Sequence, residues 1–348
     1  MNLHLKWHWL LASWMAAANL IAIISPALTQ TLPYFSGSSQ KCQLGNPQND
    51  CNQLGIYSFN LREYRKAIEF FTQAIQQAPN RADIYVNRGI ARRQFGDIEG
   101  ALADYTQALA LKPDFAGIYY SRGNLFAQQG NLFKAVEDYS KAIQLEPNYS
   151  EAYYARGLAL RRLGDSAGAI ADYTKVIELQ PDNHQAYHNR AVAKAVLGNH
   201  FGAIEDYTKA INLNPNANYY VNRGRSHYIL GNKQAALADY EQAIKKEPTN
   251  SFALFYKGNT LMDLKQYQAA GDAYELAIRA SGLTTKSIAQ LEPANLAKAY
   301  QNLGMARKQI GFRQGALEAW QKAANLYQQL GNIEKYQEVM EAIKTLQP

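Results

Sequence analysis

The chain has 348 residues, with 36 basic and 29 acidic side chains and a formal charge of +7. The excess is spread out, with no run of five or six like charges, which argues for solvated surface and against nucleic-acid binding. At this length two or three domains would be usual, but the spacing of six prolines overrides that prior. Pro79, Pro113, Pro147, Pro181, Pro215 and Pro248 follow one another at intervals of 34, 34, 34, 34 and 33 residues.

In chain order, residues 1–29 stand apart. Lys6 precedes an apolar run from Trp9 to Ile24, and Ser25-Pro26-Ala27 follows. A charged start, apolar middle and small-residue exit predict a secretory signal peptide. Sixteen apolar-run residues fall short of the ~20 needed to span a bilayer. An uncleaved anchor over residues 9–28, and so a membrane tether, is the alternative. Both readings predict export to a periplasm, lumen or extracellular space. Residues 30–47 read as an irregular linker, with Asn46 as N-cap and Pro47 as the first residue of a helix. The only cysteines, Cys42 and Cys51, predict a disulfide in an exported chain, while a buried free thiol at Cys51 is the competing reading.

From residue 48 the sequence repeats as 48–81, 82–115, 116–149, 150–183, 184–216, 217–250, 251–284 and 297–330, with an insertion at 285–296 and a capping helix at 331–348. Position 8 of the units is Gly or Ala, as in Gly89, Gly123 and Ala191. Position 20 is Ala, position 24 is aromatic (Tyr105, Tyr139, Trp320), and position 27 is small. Spacings of four and three residues put the last three on one helical stripe. A glycine between the halves can end the first helix in a left-handed residue, and the proline cannot continue the second. Each unit is predicted to be a helix hairpin whose small positions allow close backbone approach. Repeats 1 and 7 carry Arg62 and Lys265 in place of that glycine, so a different turn is expected there. In the final helix Ile333, Tyr336, Met340 and Ile343 form an apolar stripe, and its charged face reads as a solvating cap.

These small, aromatic and terminal-proline positions resemble the tetratricopeptide repeat (TPR) family over about 48–330. The resemblance implies an all-α, right-handed superhelical solenoid. It also implies a protein-binding groove lined by the first helix of each hairpin, chiefly at positions 2, 5, 6, 9 and 12. Here those positions hold Asn87, Tyr120, Asn124, Tyr154, Arg161, His188, Asn189, Asn222, Phe255, Asn259 and Asn302. Asparagine offers a donor and an acceptor to an extended backbone, although position-6 asparagines can equally bridge adjacent helices.

Position 7 is cationic in six units: Arg88, Arg122, Arg156, Arg190, Arg223 and Lys257. The same six are read as carrying the counter-charge at position 23, as Asp104, Asp138, Asp172, Asp206, Asp239 and Asp272. Repeats 1 and 8 lack both, with Leu54 and Phe70 in one and Leu303 and Ala319 in the other. The joint pattern predicts six structural ion pairs within hairpins.

No phosphate-binding glycine loop, HExxH or CxxC motif is present. His184 and His188 have metal-ligand spacing but no third ligand to join them, and His227 is expected in the core. Neither catalysis nor a cofactor is predicted. The expected function is a protein-interaction scaffold or assembly factor that grips a peptide or helix. An accessory subunit of an envelope enzyme complex is the alternative.

Overall fold

The computed structural model describes residues 42–45, 50–283 and 291–346. The predicted signal segment, Asn46, Pro47 and most of the insertion lie outside them. Among the described residues the chain is all-α, with seventeen helices and no strand. Contacts divide it into two compact units, Met1–Pro181 and Asp182–Pro348.

In the first unit, α1 (Cys51–Asn60) pairs with α2 (Tyr64–Gln77), and α3 (Ala82–Phe95) with α4 (Ile98–Leu111). Two more antiparallel pairs follow: α5 (Ala116–Gln128) with α6 (Leu132–Leu145), and α7 (Ser150–Arg162) with α8 (Ser166–Leu179). In the second unit the pairs are α9 (His184–Val196) with α10 (His200–Leu213), and α11 (Ala217–Ile229) with α12 (Lys233–Lys246). Then come α13 (Ser251–Asp263) with α14 (Tyr267–Leu283), and α15 (Pro293–Gln309) with α16 (Arg313–Gln329), closed by α17 (Ile333–Lys344).

The turn between α3 and α4 does two jobs in two residues. At Gly96 (φ 95°) the left-handed residue lets the amide of Asp97 donate to the carbonyl of Arg92 at 2.9 Å, ending α3. The Asp97 carboxylate then accepts from the Gly100 amide at 2.9 Å, opening α4. Arg62 (φ 62°) and Lys265 (φ 59°) adopt the same left-handed conformation without glycine. The matching bonds, Glu63 to Ser58 and Gln266 to Leu261, are both 2.9 Å. The expected difference in those turns is absent, because the two capping bonds and the packed hairpin hold the backbone there against its steric cost.

The hairpin interior follows from position 8. The ring of Tyr139 lies on Gly123, where an added Cβ would stand 2.8 Å from a ring carbon. Ala135 and Ala142 beside it are fully buried, as is the tyrosine ring. Gly258 and Tyr274 repeat the arrangement at 2.6 Å.

Three boundaries differ from expectation. Asp50 caps the first helix, which starts at Cys51 rather than Pro47, because its carboxylate accepts from Gln53 at 3.0 Å. With no proline to stop it, α14 runs 17 residues to Leu283. α15 starts at Pro293, inside the expected insertion 285–296, as the proline's missing N–H is no loss at a first helical position. Cys42 and Cys51 are disulfide-bonded, with Cα atoms 4.9 Å apart. Gln77 holds the strap this makes by accepting from the Leu44 amide at 2.7 Å and donating to the Cys42 carbonyl at 3.0 Å.

Candidate peptide-binding groove

Behind the first-helix surfaces, five guanidinium–carboxylate pairs set the hairpins. Arg88–Asp104, Arg122–Asp138, Arg156–Asp172, Arg190–Asp206 and Arg223–Asp239 are bidentate, with shortest distances of 2.7, 2.8, 2.7, 2.7 and 2.6 Å. The free arm of Arg122 reaches Thr106 of the preceding hairpin at 3.2 Å, and that of Arg156 reaches Ser140 at 3.0 Å. Each guanidinium also lies near the ring three residues earlier, as Arg122 does over Tyr119 at 5.7 Å. Burial pushes the Asp138 and Asp172 carboxyls above the ordinary carboxylate range, against the pull of their arginines.

The sixth pair does not form. Asp272 stands at position 22, not 23, one helical step from the interior, where buried Ala273 takes its place. A 100° rotation leaves Asp272 exposed, bonded to Gln268 at 3.0 Å. Lys257 turns to Glu241 of the preceding hairpin at 2.9 Å instead. Glu241 occupies the position that is Thr72, Thr106, Ser140 and Thr208 elsewhere, so the counter-charge has moved from one side of the cation to the other.

The position-6 asparagines bridge helices. Asn87 is 7% exposed and donates to Asn52 at 3.2 Å. Asn222 meets the His188 ring at 3.1 Å, and His188 stacks on Tyr219 with centroids 4.5 Å apart. His184 bonds the Tyr219 hydroxyl at 2.8 Å, so the two histidines share a tyrosine. Among the described residues no three His, Cys, Asp or Glu side chains form a metal-binding group. Tyr120 and Phe255, expected in the groove, are buried at 4% and 3% exposure in apolar clusters. Position 5 turns inward there, toward the rings of Tyr139 and Tyr274. Asn124 accepts from the Tyr139 hydroxyl at 2.8 Å. Tyr154 sets its ring edge-on to Tyr173, 5.9 Å away, and Arg161 and Asn189 remain partly exposed on their helices.

Asn259 and Asn302 do reach a cavity. A groove of about 910 Å³ runs across α11, α13 and α15 in the second unit, with α17 along one side. Its floor is aromatic, from Tyr240, Tyr256, Tyr274 and Trp320, and Met262, Met305 and Val339 add flexible apolar wall. Asn259 accepts from both the Tyr274 hydroxyl at 2.8 Å and Asn302 at 2.9 Å. Tyr228 donates to Asp263 at 2.5 Å, and burial with that carboxylate pushes its phenol up to about 12. Arg225, Lys298 and Lys308 line the groove as exposed cations, and among the described residues none makes an ion pair. Arg225 instead lies 5.0 Å over Tyr256, and Lys308 lies 5.9 Å over Trp320. Sequence reasoning missed Arg225, Tyr228, Tyr256, Met262 and Met305. All stand at positions 6, 9 or 12, so the period marks them, but their side chains carried no asparagine signature.

Among the described residues, eight antiparallel helix pairs with small-residue-on-aromatic interiors and left-handed turns define a helical-hairpin repeat protein. Models of the TPR or tetratricopeptide repeat match residues 91–130, 123–164, 150–183, 52–105, 221–282, 184–216 and 317–348. The chain belongs to the tetratricopeptide repeat family. No curated protein matches it. Among solved structures it is similar to YrrB, described as a TPR protein with an unusual peptide-binding site. That likeness has 25% identity and a TM-score of 0.51, over 54% of this chain and 97% of YrrB. It is also similar to the C-terminal part of a TPR repeat-containing protein from Cytophaga hutchinsonii, at 18% identity and TM-score 0.58 over 69% of this chain and 99% of that one. A tetratricopeptide repeat protein from Parabacteroides merdae aligns at 20% identity and TM-score 0.50, over 74% and 97% of the two chains.

Proposed function

We propose that this chain is a non-enzymatic scaffold or assembly factor that holds a peptide or short helix in the groove of α11, α13 and α15. The observation that carries the reading is the groove itself, with its aromatic floor, two methionines, an Asn259–Asn302 pair and cations without an ion-pair partner at its edges. Its 910 Å³ falls in the range of pockets that enclose ligand surface. Rigid Tyr and Trp area costs little side-chain entropy on binding, and methionines adapt to the partner's contour. The likeness to YrrB, a peptide-binding TPR protein by its description, supports the same use of the fold. With export through residues 1–29, cleaved or retained as a tether over 9–28, that partner is expected in a periplasm, lumen or extracellular space.

The test is a photo-crosslinker at Met305 in the full chain, used in the native envelope fraction. A discrete crosslinked protein should appear and be lost with Tyr256→Ala/Met262→Ala. A peptide from it should bind with a dissociation constant near micromolar, ~8 kcal/mol. Crosslinks that survive the double substitution, with folded protein by circular dichroism, would refute the assignment.

A further inference from the structure

Exposed apolar side chains are not scattered over this molecule. Among the described residues, nine large ones are at least half exposed. In the first unit these are Leu61 (54%), Phe95 (56%) and Phe133 (73%). In the second they are Val196 (68%), Leu197 (58%), Phe201 (71%), Ile229 (58%), Phe312 (50%) and Ile333 (68%). All except Ile333 lie within three residues of the left-handed residue that joins the first helix of a hairpin to its second. Within a unit those turns share one edge, because the first helices run parallel side by side. Gln129 reaches Glu99 of the preceding turn at 2.6 Å, and Asp263 meets Tyr228 at 2.5 Å and Lys233 at 3.8 Å.

Charge divides the same way. In the second unit the hairpin turns carry Lys233, Lys265, Lys308 and Arg313 against the single acid Asp263. The opposite edge, where hairpins join one another at the prolines, is mainly polar, with Leu145 and Leu213 less exposed there at 38% and 44%. In the first unit it collects Asp83, Asp114, Glu146, Glu151 and Glu178 against Arg81 and Lys112. Packing does not require any of this, since Phe133 and Phe201 fill positions held by Glu99, Gln234 and Gln314 in other repeats. An apolar projection left in water at one edge, ringed by cations, is the composition that settles at a charged lipid surface, with rings among the acyl chains and cations among the phosphates.

We infer that the hairpin-turn edge of each unit docks on an anionic lipid bilayer, through Phe133 in the first unit and Val196, Leu197 and Phe201 in the second. The opposite edge then faces water. This surface meets the groove at Ile229, Asp263 and Lys308, but Phe133, Val196, Leu197 and Phe201 lie outside the groove lining, so their docking does not depend on what the groove binds. It is also distinct from the apolar run at residues 9–24, and does not depend on whether that run is cleaved or retained.

The experiment uses the full chain with single environment-sensitive NBD labels. Because Cys42 and Cys51 are bonded to each other, an introduced cysteine is the one free thiol. Labels go to Phe133→Cys and Phe201→Cys at the turn edge, and to exposed Asn148→Cys and Thr249→Cys at the opposite edge. With phosphatidylcholine–phosphatidylglycerol vesicles the first two should shift to the blue and brighten, and the second two should not. Lys233→Glu and Lys265→Glu should each raise the vesicle concentration at half-maximal change about fivefold. Unchanged turn-edge labels, or equal change at both edges, overturn the inference. So does the same change without vesicles on raising protein concentration, which would make the edge a contact between copies of this chain. An equal response to phosphatidylcholine alone overturns the charge assignment.

Discussion

Removing the carboxylate of Asp138 while Arg122 stays in place should destabilise the third hairpin by about 3 kcal/mol. Arg122 donates to it twice, at 2.8 Å each, and the two side chains are 18% and 6% exposed. Stripping one partner from a buried pair costs ~3–5 kcal/mol, and partial hydration of the guanidinium favours the lower end. The pair itself contributes far less, since burial already holds the Asp138 carboxyl above its ordinary range despite the arginine. Arg122→Leu/Asp138→Ala should therefore recover most of the loss. That combination installs what the last hairpin holds at the same positions, Leu303 and Ala319, buried at 3% and 2% exposure. A double-mutant cycle should give a coupling of about 2 kcal/mol. Stacked hairpins open by neighbours rather than all at once, so the readout is native-state hydrogen exchange of amides in α5 and α6. A cost below ~1 kcal/mol for Asp138→Ala, or a double variant that loses the sum of the singles, would refute the reasoning.

Gly123→Leu should cost ~3 kcal/mol or more in the same assay, since even a Cβ would press to 2.8 Å from the Tyr139 ring. Ala191→Gly, where the structure already accepts a Cβ, should cost only ~1 kcal/mol. Cys42→Ser should release the strap over 42–45 and remove ~2–3 kcal/mol of protection from α1, because a closed loop of this length restricts the unfolded chain. Retained protection of the Leu44 amide would contradict this. Burial holds His184 and His227 below the ordinary imidazole range. The unfolded histidines thus bind protons that the folded ones refuse, so stability is full above about pH 6.5 and falls as pH drops through the folded values. Thermal unfolding at pH 8 and pH 5 should show this loss, and His184→Gln/His227→Gln should reduce it.

The period, the hairpins and five of the ion pairs were legible because each follows from residues a fixed distance apart on one helix or across one turn. Gly123 under Tyr139 and Asp138 opposite Arg122 need only the two helical periods and a short connection. The same logic fails when one residue slips. Asp272 looks like another pair member by composition, yet a single step around the helix takes it out of the interior. The left-handed turn at Lys265 was hidden for a related reason, since the hairpin's packing and capping bonds impose a conformation its side chain does not favour.

The groove was legible only as a set of positions. Which side chains at those positions meet a ligand depends on how far each helix is rotated against its neighbours. That rotation carries Tyr120 and Phe255 into the interior and brings Arg225, Tyr256 and Met305 to the cavity wall. The wall supplied by α17 depends on a helix from outside the repeats folding back beside them. Sequence alone thus determined the hairpin, its turn and its internal pairing, because these are local. Only the tertiary structure decided where the cavity opens and which edge carries exposed rings, because both depend on the packing of several hairpins.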